Sequence, residues 1–237
     1  LYVGGTFSLL VTSQYACNIA KLSGGASWSA LGIASASCPG STNGTNSTVF
    51  SLATIGTTVY VGGTFTSAGG NASIKYIAQW NGSAWSAMGS GVNNTVHSMT
   101  LFGSDLYVGG AFNTTDGSVA NYIARWDGST LTWSALGNGA QGFVRALAAS
   151  NKSLYVGGSF DAVGNNSTKT RLSYVATYDT SKTDDSGWSS LGTGFSGSTP
   201  KINALAMIGT DVYVGGLFYD IAGKSVLNIA KWNGLSW

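Results

Sequence analysis

Few side chains in this sequence could move a proton. There is one histidine, His97, with nine aspartates and no glutamate. General acid–base catalysis needs paired titratable groups whose pKa values are pushed apart. Asp105, Asp127, Asp179 and Asp211 instead stand in Gly-, Ser- and Asn-rich turn segments, where Asp is favoured because it bonds its own backbone. The neighbours Asp184 and Asp185 lie in an insertion and are expected to be solvated. Cys17 and Cys38 lack zinc-ligand spacing, and no calcium-loop pattern occurs. Nor is there a nucleophile elbow or a phosphate-cradling glycine loop. The sequence therefore predicts a protein that is not an enzyme and carries no cofactor and no metal.

A second kind of chemistry is abundant. Nine of the 16 asparagines stand in Asn-x-Ser/Thr: Asn43, Asn46, Asn71, Asn81, Asn93, Asn113, Asn151, Asn165 and Asn166. Such acceptors belong on surface loops of secreted proteins, so N-linked glycans are the expected partners. Asn81 also has a plain structural explanation, since Asn81-Gly82 reads as a tight hairpin turn. In an oxidising compartment Cys17 and Cys38 are expected to form a disulfide. Closing a loop of about 20 residues would contribute roughly 3 kcal/mol. Both features place the protein outside the cell or at its surface.

Charge narrows the choice further. Charged residues make up 8% of the chain, where about 25% is usual, and the net charge is +2. The 11 basic residues are scattered singly, which excludes phosphate-neutralising nucleic-acid binding and a polybasic membrane patch. No apolar run approaches the roughly 18 residues of a membrane span.

What must position these groups is a repeat. Tyr-Val-Gly-Gly occurs five times, its first glycine at Gly4, Gly62, Gly109, Gly157 and Gly215. Each copy follows a short apolar segment such as Val49–Ala53, apart from the first. Each precedes an Ile/Val-Ala-x-aromatic segment (Ile77–Trp80, for example), then a segment opening on Trp85, Trp133, Trp188 or Trp237. We name these segments a, b, c and d in chain order, with Tyr-Val-Gly-Gly in b. Each is four to seven residues of strand-forming types bounded by Gly, Asn, Asp and Ser, and no stretch supports a helix. Four antiparallel strands cannot cover both their faces, so neighbouring units must cover one another, and a radial arrangement does this. Fold class is all-β: a β-propeller of five four-stranded antiparallel blades, about 48 residues each, in one domain. The units run 1–48, 49–95, 96–143, 144–201 and 202–237. Segment a occurs four times and the others five, so one strand is missing and the chain is expected to continue beyond these residues. Glycine doublets in b allow close approach, and the paired rings of c and d are expected to fill the gap between blades.

A Gly-Gly doublet ending b, then Tyr178-Asp179 and Trp188-Ser189-Ser190-Leu191, resembles the kelch type of propeller repeat. The longer pattern LYVGG-x-F, IA-x-W-D/N-G, W-S-A-L-G is similar to repeats of large secreted or surface-anchored proteins, including fungal cortical polarity markers. The resemblance covers the whole chain and implies fold and cell-surface context rather than activity. The first unit departs from it, with Leu22 in place of the first Trp and an insertion holding both cysteines. Copper-radical oxidases with kelch-type blades need more His, Tyr and Cys ligands than this chain has.

In an up-and-down meander the b–c and d–a connections share one face. Asn71, Asn113, Asn165 and Asn166 fall in the former and Asn43, Asn46 and Asn93 in the latter, leaving Asn81 and Asn151 opposite. One face is thus expected to be sugar-coated. Phe50, His97, Arg145 and Asn203 share one position on segment a and could face a central channel as a polar binding ring. The function expected is a non-catalytic extracellular glycoprotein, a subunit of a surface layer, matrix or fibre (filament), whose partners are further copies or repeats of itself. The alternative is a lectin-like or adhesive module using the bare face or the channel.

Overall fold

The computed structural model describes residues 1–11, 14–32, 38, 42–150, 153–164, 170–171, 174–196 and 200–237. Asn151, Asn165 and Asn166 lie outside the described residues. The chain is all-β. Among the described residues the one helical turn is the 3-10 segment Asp185–Gly187, in the insertion of the fourth repeat, where Asp184 caps it by accepting from the Ser186 N–H. Two compact units form: Leu1–Met99 with Thr114–Gly117, and Thr100–Asn113 with Ser118–Trp237.

In the first unit, strands b, c and d of the first repeat (Tyr2–Val11, Gln14–Ser23, Ser27–Ala30) make a three-stranded antiparallel sheet. The second repeat supplies a complete a–b–c–d meander from Val49–Ile55, Thr58–Gly63, Ile77–Trp80 and Trp85–Ser86. Between them lies a core holding Ile19, Leu31, Val49, Val61, Phe65 and Trp80. In the second unit, strands b, c and d of the third repeat (Asp105–Gly110, Ile123–Asp127, Thr132–Ala135) precede the long fourth-repeat pair Ala140–Ser150 and Ser153–Val163. Val175–Asp179 and Trp188–Ser190 complete that fourth meander. The last sheet has three strands, Lys201–Ile208, Asp211–Leu217 and Ile229–Trp232, which are a, b and c. Strand order thus matches the segment order read from sequence. The 11-residue strands exceed the four to seven residues expected, because the a–b ladder runs on from Ser150↔Ser153 to Ala140↔Val163.

The doublet glycines do two different jobs, seen at Gly62 and Gly63. A Cβ on Gly62 would fall 2.5 Å from Val96 Cγ1 and 3.2 Å from Met99 Sδ, on strand a of the following repeat. One on Gly63 would run into the Thr48 carbonyl oxygen beside its own sheet. The first glycine therefore seats the next repeat, and the second admits the local a–b irregularity. Gly4 with Val49, Gly109 with Val144 and Gly157 with Ile202 repeat the first arrangement within their units.

A feature with no single-residue signature recurs at the residue before the Ile or Val of segment c, which in the first repeat lies inside the longer strand Gln14–Ser23. Asn18, Tyr76, Tyr122, Tyr174 and Asn228 all hold positive φ, between 61° and 67°. A bulky residue there costs on the order of 1–3 kcal/mol and needs a surrounding frame to hold it. The frame is a pair of backbone bonds. The Tyr76 N–H donates to Phe65 O (2.8 Å) while its carbonyl accepts from the Gly63 N–H (2.9 Å), and Tyr122, Tyr174 and Asn228 do the same in their repeats. Phe65, Phe112, Phe160 and Phe218, fully buried, anchor the other side. At Asn18 and Asn228 the side chain joins in, Oδ1 accepting from the N–H of Phe7 and Phe218.

Candidate functional site

The positions picked out on strand a prove to be special in backbone terms. Register shifts fall between Val49 and Ser51, between Val144 and Ala146, and between Ile202 and Ala204, so Phe50, Arg145 and Asn203 are the extra residues of β-bulges. A bulge bends the strand and re-aims the extra side chain, which explains residue types unlike those of the ladder. Phe50 is half exposed and meets His97 with ring centroids 5.7 Å apart. Arg145 donates from Nε to Ser159 Oγ at 2.9 Å, and Asn203 is exposed. So Phe50 and His97 come together in the first unit, while Arg145 and Asn203 belong to the second.

Beside the Arg145–Ser159 pair opens a cleft of 340 Å³ that sequence reasoning missed, lined by Gln141, Ser159, Asp161, Tyr174, Pro200 and Lys201. Its one aromatic wall is a left-handed tyrosine. A 280 Å³ cleft in the first unit runs past Thr42, Asn71, Trp80, Ser83 and Trp85. A third, of 100 Å³, lies between Tyr107, Arg125, Tyr178 and Lys182. Its groups are committed to structure. Arg125 pairs with Asp105 at 2.8 Å and Asp127 at 3.1 Å. Burial works against the Arg125 charge, but hydrogen bonding and attraction to Asp105 outweigh it, and its pKa is raised. Burial first, then the Asp184 charge, pushes the Tyr178 phenol up to about 12, and its hydroxyl donates to the carbonyls of Lys182 and Asp184. It is a neutral donor, not a base.

The aspartates hold turns. Ser129 and Thr130 bond the Asp127 carboxyl and Ser186 that of Asp184, holding both pKa values below the carboxylate range. Asp185 corrects an expectation: it is not simply solvated. It accepts from the Asn138 N–H at 2.7 Å and from Asn138 Nδ2 at 2.6 Å, tying the fourth-repeat insertion to the d–a connection before it. Asp116 does the same in the first unit, accepting from the Ser90 N–H at 2.8 Å. Among the described residues no group of three His, Cys, Asp or Glu side chains could hold a metal ion.

Asn71, Asn81, Asn93 and Asn113 are exposed. Asn46 reaches from a d–a connection to a b–c loop, its Oδ1 accepting from the N–H groups of Thr66 and Ser67, and Asn93 does likewise with Thr114. These bonds bring d–a and b–c connections together, as the meander requires. Asn43 departs from the acceptor pattern: it is fully buried, with its amide donating to the Tyr15 carbonyl. Its Nδ2 is thus used inside the fold and not offered to solvent. Cys17 and Cys38 form a disulfide, closing a 21-residue separation, with Cys17 buried inside strand c.

Three of the tryptophans are fasteners. Trp85 Nε1 donates to Leu31 O (2.7 Å), Trp188 Nε1 to Leu136 O (3.2 Å) and Trp237 Nε1 to Leu191 O (2.8 Å), each reaching the end of the preceding repeat's d segment. Each also packs on the aromatic of its own strand c. Trp80–Trp85, Tyr178–Trp188 and Trp232–Trp237 centroids lie 5.4, 4.8 and 5.3 Å apart. Trp80, Trp126, Tyr178 and Trp188 are buried, whereas Trp85, Trp133, Trp232 and Trp237 are half-buried.

Among curated proteins no sequence matches the chain significantly. Among solved structures the chain resembles the extracellular domain of a hybrid two-component system from B. thetaiotaomicron. The TM-score is 0.52 at 14% identity, over 92% of this chain and 26% of that one. It spans about a quarter of that protein's length, and the likeness is one of fold. Two computationally designed proteins, Ika4 (TM-score 0.48, 17% identity, 80% of this chain, 92% of that) and Ika8 (0.47, 16%, 81% and 48%), are also similar. The sequence model described as the Rax2 C-terminal beta propeller domain matches residues 77–215, more than half of the chain. With its glycine seats, indole fasteners and repeated four-stranded meanders in place, the chain belongs to the Rax2 C-terminal beta-propeller family.

Proposed function

We propose that the protein is a non-catalytic, N-glycosylated extracellular or cell-surface glycoprotein with an architectural role, a subunit of a surface layer, matrix or fibre. The observation that carries this reading is the pairing of a Cys17–Cys38 disulfide with exposed sequon asparagines at Asn71, Asn81, Asn93 and Asn113. Disulfides persist in oxidising compartments, and sequons are read in the same secretory route. The commitment of the aspartates to turns and ion pairs supports a scaffold in place of a catalyst. Mass spectrometry of the protein purified from its natural source tests the reading. Glycans are expected at most of those four exposed positions, and none at Asn43. Unmodified asparagine at all four would remove the glycoprotein reading.

A binding role has one specific observation in its favour: the cleft beside Arg145 combines a tyrosine ring with amide, hydroxyl, carboxylate and ammonium groups. Under that reading Phe50, His97, Arg145 and Asn203 are the residues to vary. Glycan-array binding lost in the alanine variants of Arg145 and Asn203 would promote it over the architectural one.

A further inference from the structure

The 280 Å³ cleft of the first unit has a sequon asparagine built into its rim. Trp80 and Trp85 form its apolar wall, and Thr42, Asn71 and Ser83 stand around it. The wall differs from its counterpart two repeats on: Trp188 is buried, whereas Trp85 is half-buried and keeps part of its ring open. Glycines bring the rim to that ring. A Cβ on Gly69 would lie 2.5 Å from Trp85 Cδ1, and one on Gly70 would lie 3.0 Å from Thr42 Cγ2. Both glycines hold positive φ, and the Asn71 N–H closes their turn on Ala68 O at 3.0 Å. The Asn71 carbonyl accepts in turn from the Ile74 N–H at 3.2 Å. Ala68 and Ile74 are buried, so the Asn71 backbone is pinned to the core on both sides while its side chain stays exposed. Asn71 is only two residues from Gly69, about 7 Å of extended chain at most.

The side chain is set for attachment. Asn71 Oδ1 accepts from the Ser73 N–H at 2.9 Å, and Ser73 is the hydroxyl residue of the same sequon. Among the described residues Asn71 Nδ2 has no acceptor. At Asn43 and Asn46 that atom is already engaged, with Tyr15 O and Thr66 Oγ1. Resting on the glycoprotein reading above, we propose that this cleft is the seat of the protein's own glycan: the first sugar on Asn71 lies in it, one ring face against Trp85 and its hydroxyls toward Thr42 and Ser83. Transfer from a diphosphate-linked sugar donor breaks the bond from sugar C1 to the diphosphate oxygen, forms C1–Nδ2 and releases one Nδ2 proton. Nδ2 keeps its other N–H, and the Oδ1 bond to Ser73 is undisturbed. A pyranose ring has an apolar C–H face and a polar rim, and the negative face of an indole attracts the former while the rim meets the cleft's polar groups. At 280 Å³ the cleft falls just below the range of about 300–1,000 Å³ for small-molecule sites, which suits one sugar ring and not a chain of them. Asn81 is the other sequon nearby, but it does not line the cleft, and its Oδ1 is held in the c–d turn by the N–H groups of Ser83 and Ala84.

Hydroxyl-radical oxidation of Trp85, read by peptide mass spectrometry on the full natural glycoprotein, tests this. Trp85 should oxidise slowly in the parent and several-fold faster in Asn71→Gln, and protection should survive trimming of the glycans to their first sugar. Asn81→Gln should leave the rate unchanged. If Asn71→Gln fails to fold, Ser73→Ala abolishes the sequon with Asn71 in place and is expected to give the same increase. A glycosylated Asn71 with equal Trp85 rates in parent and variant would overturn the proposal and leave the glycoprotein reading standing. So would an unmodified Asn71 beside glycans on Asn81, Asn93 or Asn113. A Trp85 exposed by Asn81→Gln instead would give the cleft to that glycan and overturn the proposal equally. Unmodified asparagine at all four positions would remove both readings.

Discussion

Asp116 shows how the acidic residues of this chain act. Its carboxylate sits across from Ser90, and that contact, through the backbone N–H and then the side chain, holds the group below its ordinary value of 3.8. A carboxyl whose pKa falls on folding adds stability that is complete above the unfolded value and is lost as pH drops through the folded one. Thermal melts of Asp116→Ala and the parent should therefore differ near neutral pH, with the parent higher, and converge in strong acid. A gap that widens in acid would refute the assignment. The sequence gives no sign of this contact, since the spacing says nothing of a bond between residues 116 and 90. The left-handed tyrosines were equally hidden. Only Asn18 and Asn228, of a type that tolerates positive φ, hint at the conformation that Tyr76, Tyr122 and Tyr174 share.

Between elements, the seat of strand a on the preceding strand b is the joint that repeats. Gly62 is its best-defined example, with Val96 Cγ1 at 2.5 Å from an added Cβ. Overpacking of this kind typically costs about 1–3 kcal/mol, so Gly62→Ala should lower the unfolding free energy by that order. Trimming the knob makes room: in Gly62→Ala/Val96→Ala the combined loss should be smaller than the sum of the single losses, a coupling that a denaturant-melt cycle measures. Strict additivity would mean the two residues do not meet. This joint was legible, because a glycine doublet inside a strand of apolar residues asks for close approach. The bulges at Phe50, Arg145 and Asn203 were not, since one extra residue leaves the hydrophobic pattern of a short strand almost unchanged. The two-residue strands of the b–c loops, such as Asp220–Ile221 with Lys224–Ser225, were missed for a related reason. They turn on Ala222 and Gly223, both at positive φ, and Ala in that role gives no warning.

For the molecule as a whole, recurrence carries the fold: five Tyr-Val-Gly-Gly copies with aromatic partners dictate the strand order that the sheets adopt. The candidate sites were read less evenly. The disulfide follows from two cysteines and nine sequons, whereas the burial of Asn43 does not, because an Asn-Gly-Thr triplet says nothing of a bond from its amide to the Tyr15 carbonyl. The central claim is that the second, fourth and fifth repeats are each fastened to the repeat before by an indole N–H on a leucine carbonyl. The most direct test is exchange of the eight tryptophan indole protons in D2O, resolved by 15N labelling. The indoles of Trp85, Trp188 and Trp237 should exchange far more slowly than that of an unfolded chain. Exchange of all three at the unprotected rate would contradict the account.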